Sequence, residues 1–247
     1  VATARCGWYN VASMIRGFRQ IASLTLISRI LGMVRDIAFA HFFGAGVLMT
    51  AWTMGFKIPN LSRRLFGEGA ASASFIPVYT HELHENPRTA ARLAGTVVMV
   101  LLALLTAIVV VGEIGLGIWY FFIADQEGAR LGLSLAMMML PYMVAICMVA
   151  ILAGILNVHR HFAAPAAAPI VLNIFIISAL LVTGAVLQQP PRQQVYWVAG
   201  MVLLAGAAQL LLQAAALKRT QAAVRPAWEV KSAPFRRILL LMGPMIL

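Results

Sequence analysis

Four stretches of the chain, 94–123, 131–156, 166–187 and 195–217, are apolar almost without interruption. They show neither the alternation of a half-buried strand nor the polar stripe of a surface helix. Each is long enough to cross roughly 30 Å of hydrocarbon at about 1.5 Å per residue. The first ends in Trp119-Tyr120-Phe121-Phe122, which suits a membrane–water boundary, and the second carries Pro141 and Gly154. Two earlier apolar stretches are broken by charge. Residues 21–45 hold Arg29, Arg35 and Asp36. Residues 47–80 hold Lys57, Arg63, Arg64 and Glu68, with Pro59, Gly67, Gly69 and Pro77. They predict two more helices, the second long, bent or broken. A further run starts at Ile238, contains Pro244 and stops at Leu247 before it could cross, so a piece of a longer protein is expected.

Composition turns these runs into a fold class. The chain is 62% hydrophobic and 11% charged, too little polar matter to cover a soluble domain. The expectation is an all-α membrane protein, a polytopic helical bundle of six transmembrane helices plus the start of a seventh. Its parts would be a cytoplasmic N-terminal segment (1–20), a six-helix lobe (21–217), a basic cytoplasmic loop (218–237) and the truncated seventh helix (238–247). Nineteen Lys and Arg stand against eight Asp and Glu, giving +11. In a soluble chain that excess would raise nucleic acid as a partner. Here topology explains it. With the N-terminus in the cytoplasm, twelve of the basic residues fall inside and only Arg130 and Arg192 outside. The remaining five are Arg29, Arg35, Lys57, Arg63 and Arg64. Cys6 and Cys147 give neither a disulfide framework nor a metal spacing, and the first apolar run lacks a signal-peptide cleavage site.

An arginine inside a bilayer helix costs about 2.5–3.5 kcal/mol on insertion scales, so such residues face a bundle interior or an aqueous cavity. Arg29 and Arg35 are separated by roughly 600° of helical rotation and about 9 Å of rise, so they do not stack on one narrow stripe, though both can line a broad cavity. Arg63 and Arg64 are adjacent and diverge. The functional reading is a cationic, water-filled pocket for an anionic substrate, built on Arg29, Arg35 and Arg63; arginine suits a phosphate because its fork donates in a bidentate way and stays protonated. Lys57 and Arg64 read first as interfacial side chains that snorkel, with a supporting place in the pocket beside Asp36 and Glu68 as the alternative. Asp36 can pair with Arg35 but cannot neutralise all three arginines. Pro59 and Pro77 remove backbone donors, which is tolerated at depth where a helix lines a cavity.

These same residues carry a family resemblance. Ser28-Arg29-Ile30-Leu31-Gly32 with Arg35-Asp36 resembles the SR-x-LG-x-x-RD segment of the MurJ/MviN family, and Phe42-Phe43-Gly44-Ala45-Gly46 resembles its FGAG turn. The block from Phe56 to Ala70, FKIPNLSRRLFGEGA, resembles the family's FK-x-PNL-x-RR-x-F-x-EGA element. Phe75-Ile76-Pro77-Val78, Pro141-Tyr142, Gly154-Ile155-Leu156-Asn157, Phe162 to Ala166, Pro169, Leu172-Asn173 and Met242-Gly243-Pro244 fit as well. The resemblance implies a lipid II flippase of the MOP superfamily in the bacterial inner membrane, a transporter without cofactor. It would move an undecaprenyl-pyrophosphate-linked peptidoglycan precursor by alternating access. This chain would supply the first lobe, and the second lobe would be its missing partner. The family's cavity arginines match Arg29, Arg35 and Arg63, and Glu68 matches the acid of the EGA element. One departure stands out: Thr50-Ala51-Trp52 lies where the family often has a DAF-like segment, with Ala51 taken to replace its Asp.

Weaker signals point to structure. His81-Glu82-Leu83-His84-Glu85 lacks the H-E-x-x-H spacing of a metal helix and reads as a solvated loop, as does His159-Arg160-His161. Gly67-x-Gly69 lacks the context of a nucleotide loop. Gly112, Gly115 and Gly117 read as close helix packing. Arg225 to Arg237 suits either an amphipathic segment on an anionic leaflet or an ordinary topogenic loop. No nucleophile–base–orienter set is present, so no catalytic residue is expected. The alternatives to a lipid flippase are another MOP exporter, of drugs or polysaccharide, and a non-transporting membrane scaffold. A polyprenyl-pyrophosphate enzyme would want clustered acids, and the eight here are scattered.

Overall fold

The predicted runs fold as helices in a computed structural model that describes residues 2–64, 69–124, 126–220 and 224–246, with side chains from residue 19 except at 70–71 and 243–246. Helix α1 (Ala2–Phe43) already includes most of the expected N-terminal segment. It stops at Gly44, whose φ of +62° an L side chain resists and whose N–H bonds Ala40 O at 3.1 Å. That is the structural sense of the FGAG turn. Helices α2 (Val47–Ser62) and α3 (Ala70–Glu85) replace the expected long second helix. Each holds a proline, Pro59 and Pro77. Helix α4 (Pro87–Phe122) starts with proline in its first turn and an Asn86 side chain that accepts from Arg88 N and Thr89 N. Helices α5 (Glu127–Met139) and α6 (Tyr142–Val158) form one bent pair, angled by 43° at Leu140-Pro141. Helix α7 (Ala163–Leu180) continues through a π turn to Val186; α8 (Pro191–Arg219) and α9 (Ala233–Ile246) complete the chain.

Among the described residues there is no strand. Three helical stretches, Pro87–Phe122, Ala163–Val186 and Pro191–Arg219, are long and apolar enough to cross a membrane, or four when the bent α5–α6 pair counts as one span. The charge-bearing α1 and the short α2 and α3 fall outside that test, so length and composition establish three or four of the six expected spans. In no crossing helix is more than 39% of the apolar window buried within the protein. Val111, Phe121, Leu204 and Leu211 are exposed instead, the pattern of helices solvated by lipid.

Two apolar clusters hold the bundle. One joins α3, α4, α6, α8 and α9 through Phe75, Tyr79, Leu105, Ile151 and Phe235. The other joins α1, α2, α5, α7 and α8 through Phe39, Trp52, Leu135, Ile176 and Val198. Close approach depends on small residues. A Cβ on Gly55 would lie 2.6 Å from Met139 Cε and 3.1 Å from Ala136 N, so α2 meets α5 almost backbone to backbone. Gly112 makes room for the Leu140 side chain, whose Cδ2 would lie 2.8 Å from an added Cβ, whereas Gly115 and Gly117 face open space, contrary to the packing role expected of all three.

The segment between α8 and α9 is fastened to α4. Arg225 N bonds Ala91 O at 3.1 Å, Glu229 N bonds Thr96 Oγ1 at 3.2 Å, and Arg92 pairs with Glu229 at 3.2 Å. The strap passes over Gly95, where a Cβ would lie 1.7 Å from Arg225 O. Helix α9 begins at Ala233 rather than Ile238. The His81–Glu85 stretch is likewise the last turn of α3 and not a loop, because Asn86 and Pro87 end one helix and start the next. There His81 pairs with Glu85 at 3.5 Å on the exposed surface. The α6–α7 turn closes at Arg160 (φ 58°), with His161 N bonded to Leu156 O at 2.9 Å, a Schellman cap. His159 shares a 2.9 Å hydrogen bond with Tyr79 and ties this turn to α3.

Two outcomes follow. Gly95→Ala should displace the strap, at a cost of about 1–3 kcal/mol, and trypsin should then cut after Lys231 faster than in the parent protein. Burial lowers the pKa of His159. A neutral His in the folded state and a protonatable one in the unfolded state make stability fall as pH drops below about 6.5, down to the lowered folded value. Thermal midpoints between pH 7.5 and 5.5 should therefore fall less in His159→Phe than in the parent protein.

Candidate functional site

The SR-x-LG-x-x-RD segment acquires a geometry once α1 meets α7. Ser28, Gly32 and Arg35 recur at four- and three-residue intervals and so share one helical face. Asn173 of α7 sits against all three. Its Nδ2 donates to Ser28 O at 3.2 Å, a Cβ on Gly32 would touch it at 3.8 Å, and its Oδ1 accepts from Arg35 Nη1 at 3.0 Å. Asn173 is 5% exposed, so an unpartnered amide there would be costly; the network satisfies both ends of it. The other edge of the Arg35 guanidinium grips Asp36, with Nε and Nη2 at 3.0 and 2.9 Å from Oδ1. Arg35 is thus clamped from its own helix and from α7.

Beside this clamp lies a cleft of about 400 Å³ between α1 and α2, lined by Arg35, Asp36, Lys57, Asn60 and the aromatic rings of Phe39, Trp52 and Phe56. The aromatic wall is continuous: Phe39 to Trp52 at 5.0 Å, Trp52 to Phe56 stacked at 5.7 Å, and Phe56 to Tyr142 stacked at 6.2 Å. Such a wall excludes water from one side and strengthens any charge interaction on the other. Arg63 is half-buried, with Nε and Nη2 each 3.4 Å from Asn60 Oδ1, so it reaches the cleft's edge through Asn60 rather than lining it.

The seven residues singled out in the sequence separate accordingly. Arg35, Asp36 and Lys57 come together in one cleft. Lys57, read above as snorkelling, is one of its walls. Arg29 is exposed on a different flank of α1, and Arg64 is exposed beyond the end of α2; neither lines the cleft. Glu68 lies outside the described residues. The sequence reading missed Asn173 and Asn60 as site residues. The available signal was a buried-type amide inside an otherwise apolar α7 run, since a polar side chain among apolar helices signals a partner on another helix.

The family profile described as "Lipid II flippase MurJ" matches residues 39–247. A lipid II flippase MurJ of Burkholderia cenocepacia is 29% identical over 94% of this chain and 46% of its own length. A probable lipid II flippase MurJ of Rhizobium tropici is 32% identical over 94% of this chain and 45% of its own length, and one of Bdellovibrio bacteriovorus is 37% identical over 81% and 39%. A solved structure described as lipid II flippase MurJ in an inward closed conformation superposes with a TM-score of 0.66 at 21% identity, covering 92% of this chain and 47% of that one. The chain spans about half the length of the curated relatives it matches.

The D-A-F comparison made above needs a correction of one residue. Laid residue on residue, Thr50-Ala51-Trp52 puts Thr50 at the acid's position. Thr50 is exposed and its hydroxyl donates to Gly46 O at 3.2 Å, while Ala51 is buried against α5 at Gly132. The carboxylate is still missing, but its substitute is a hydroxyl.

Replacing Asn173 with Leu removes the acceptor of Arg35 and the donor to Ser28 O together. The purified protein should lose about 1–3 kcal/mol of stability, read as a lower thermal midpoint in detergent, whereas Asn60→Leu should cost less because its two contacts are long.

Proposed function

The chain belongs to the MurJ family, and from that premise we propose that it is the first lobe of a transporter, not an enzyme, that moves lipid II from the inner to the outer leaflet of the bacterial inner membrane. The observation that carries this reading is the Arg35 clamp at the mouth of a cationic, aromatic-walled cleft. A guanidinium already oriented by Asp36 and Asn173 loses little freedom on meeting a phosphate, so more of its charge-assisted hydrogen bonding becomes binding energy. Lys57 adds a second positive charge on the facing helix, and Arg63 waits at the edge behind Asn60.

In this proposal six spans are completed by α1, by the broken α2–α3 element, and by α4, α5–α6, α7 and α8, with the N-terminus in the cytoplasm. Positive-inside charge supports that orientation. The pyrophosphate would meet Arg35 and Arg63 near the membrane midplane while the prenyl tail stays in lipid. Arg29, on another flank of α1, would meet the substrate from the second lobe's side or on entry. The two lobes would rock to expose the cleft alternately to each side. Half a cavity encloses nothing, so one lobe alone is inactive.

Complementation tests the reading. Cells depleted of their own lipid II flippase, given the full-length protein, should grow. Arg35→Ala should abolish rescue at equal membrane abundance. Arg35→Lys, which keeps the charge but loses the fork, should cut transport about tenfold or more. Growth of Arg35→Ala cells at the parent rate would remove the pyrophosphate role from this cleft.

A further inference from the structure

A second cleft lies where α5 and α8 begin, beside the end of α4 and apart from the α1–α2 cleft. Its volume is about 340 Å³ and its walls include Tyr120, Glu127, Arg130, Ser134, Arg192 and Tyr196. The charged groups are fixed in place. Arg192 pairs with Glu127, which joins the first turns of α8 and α5. Arg130 donates from Nε to Ala124 O at 2.7 Å, and its guanidinium carbon lies 5.9 Å from the Tyr120 ring centroid. One to two turns further in, the Ser134 and Tyr196 hydroxyls share a 2.8 Å hydrogen bond. Tyr196 also lines the next cavity along the same seam, an apolar groove of about 330 Å³ whose other walls are Met138, Trp197, Gly200, Met201 and Leu204.

The seam is therefore graded. On α5 the residues at four-residue spacing are Arg130, Ser134 and Met138; on α8 they are Arg192, Tyr196, Gly200 and Leu204. Each series runs from charge through hydroxyl or phenol to an apolar or small residue, and the α8 series spans about 18 Å. Gly200 opens the groove's floor, since a Cβ there would lie only 3.3 Å from Met138 Cε. Trp119, Phe121 and Phe122 at the adjoining end of α4 are 53%, 75% and 83% exposed, the placement of a membrane–water boundary.

We propose that this seam is a binding site for one membrane glycerophospholipid, with the phosphate in the α4–α5–α8 cleft and one acyl chain in the groove along α8. The charge matches. Among the described residues Glu127 neutralises Arg192, which leaves Arg130 as a single net cation for the single negative charge of a phosphate diester. The stack on Tyr120 and the bond to Ala124 O leave the terminal nitrogens of Arg130 to bind phosphate oxygens. The Tyr196–Ser134 pair sits at the depth of the glycerol esters. In the topology proposed above this is an outer-leaflet site; the lipid assignment itself does not depend on that topology or on the flippase reading.

Native mass spectrometry of the full-length protein in detergent, titrated with dioleoyl-phosphatidylglycerol, tests it. The parent protein should retain one lipid. Arg130→Gln should lower its occupancy roughly tenfold. Gly200→Leu, which fills the groove and leaves every polar group in place, should do the same. Glycerol phosphate, which lacks acyl chains, should not compete at matched concentration. Parent-like retention in both variants would overturn the proposal. So would competition by glycerol phosphate with undiminished lipid binding in Gly200→Leu, which would mark a site for soluble anions.

Discussion

Lipid offers no hydrogen bonds, so a polar side chain among these helices is costly unless another part of the protein answers it, and among the buried side-chain atoms of the described residues only the Gln213 amide and Gln194 Oε1 go unanswered. That constraint organises the lobe. The amide of Asn173 is answered by Ser28 O and Arg35 and so draws α7 onto α1. The Gln209 amide donates to Ala168 O at 2.7 Å, with the Tyr142 hydroxyl beside it, and links α8, α7 and α6. Ser62, Thr80 and Thr183 turn their hydroxyls back on carbonyls one turn earlier. Apolar burial between helices adds little where lipid is equally apolar, so small residues and these few polar ties decide which faces meet.

The same rule gives the α1–α2 cleft its character. A guanidinium between helices can stay charged only with partners, yet a binding group needs donors to spare. Arg35 meets both demands by sharing one carboxylate and one amide and still lining the cavity. The rings from Phe39 to Tyr142 supply a rigid floor at low entropic cost. Polar recognition and apolar packing are thus carried by the same two helices, α1 and α2, each of which lends the cleft both kinds of side chain.

Much of this was legible in the sequence. The runs at 94–123, 166–187 and 195–217 appear as α4, α7 and α8, because a stretch apolar on every side has few other ways to satisfy its backbone in lipid. Pro141 marked the bend of the α5–α6 pair. Rotation about the helix takes Arg29 and Arg35 off one stripe, but no single-helix argument says which flank meets the α1–α2 cleft; that depends on α2 and α7, and the cleft takes in Arg35 and not Arg29. The place of Lys57 beside Arg35 is a contact between helices and is hidden from a one-helix reading for the same reason. Asn173 was visible as a residue and not as a partner, since its role exists only across the α1–α7 contact. Chain ends of elements were least legible: the charges before residue 21 do not interrupt α1, and α9 opens at Ala233.

The strap across Gly95 changes what the connection between α8 and α9 can transmit. A segment pinned at Arg225 and Glu229 is not a hinge; it is a fixed abutment on α4. The placement of α9 against α3 is thereby set by that anchorage and is insulated from the path the chain takes on leaving α8. A residue added or removed just upstream of the anchor would therefore be absorbed before Arg225 and leave the register of α9 unchanged.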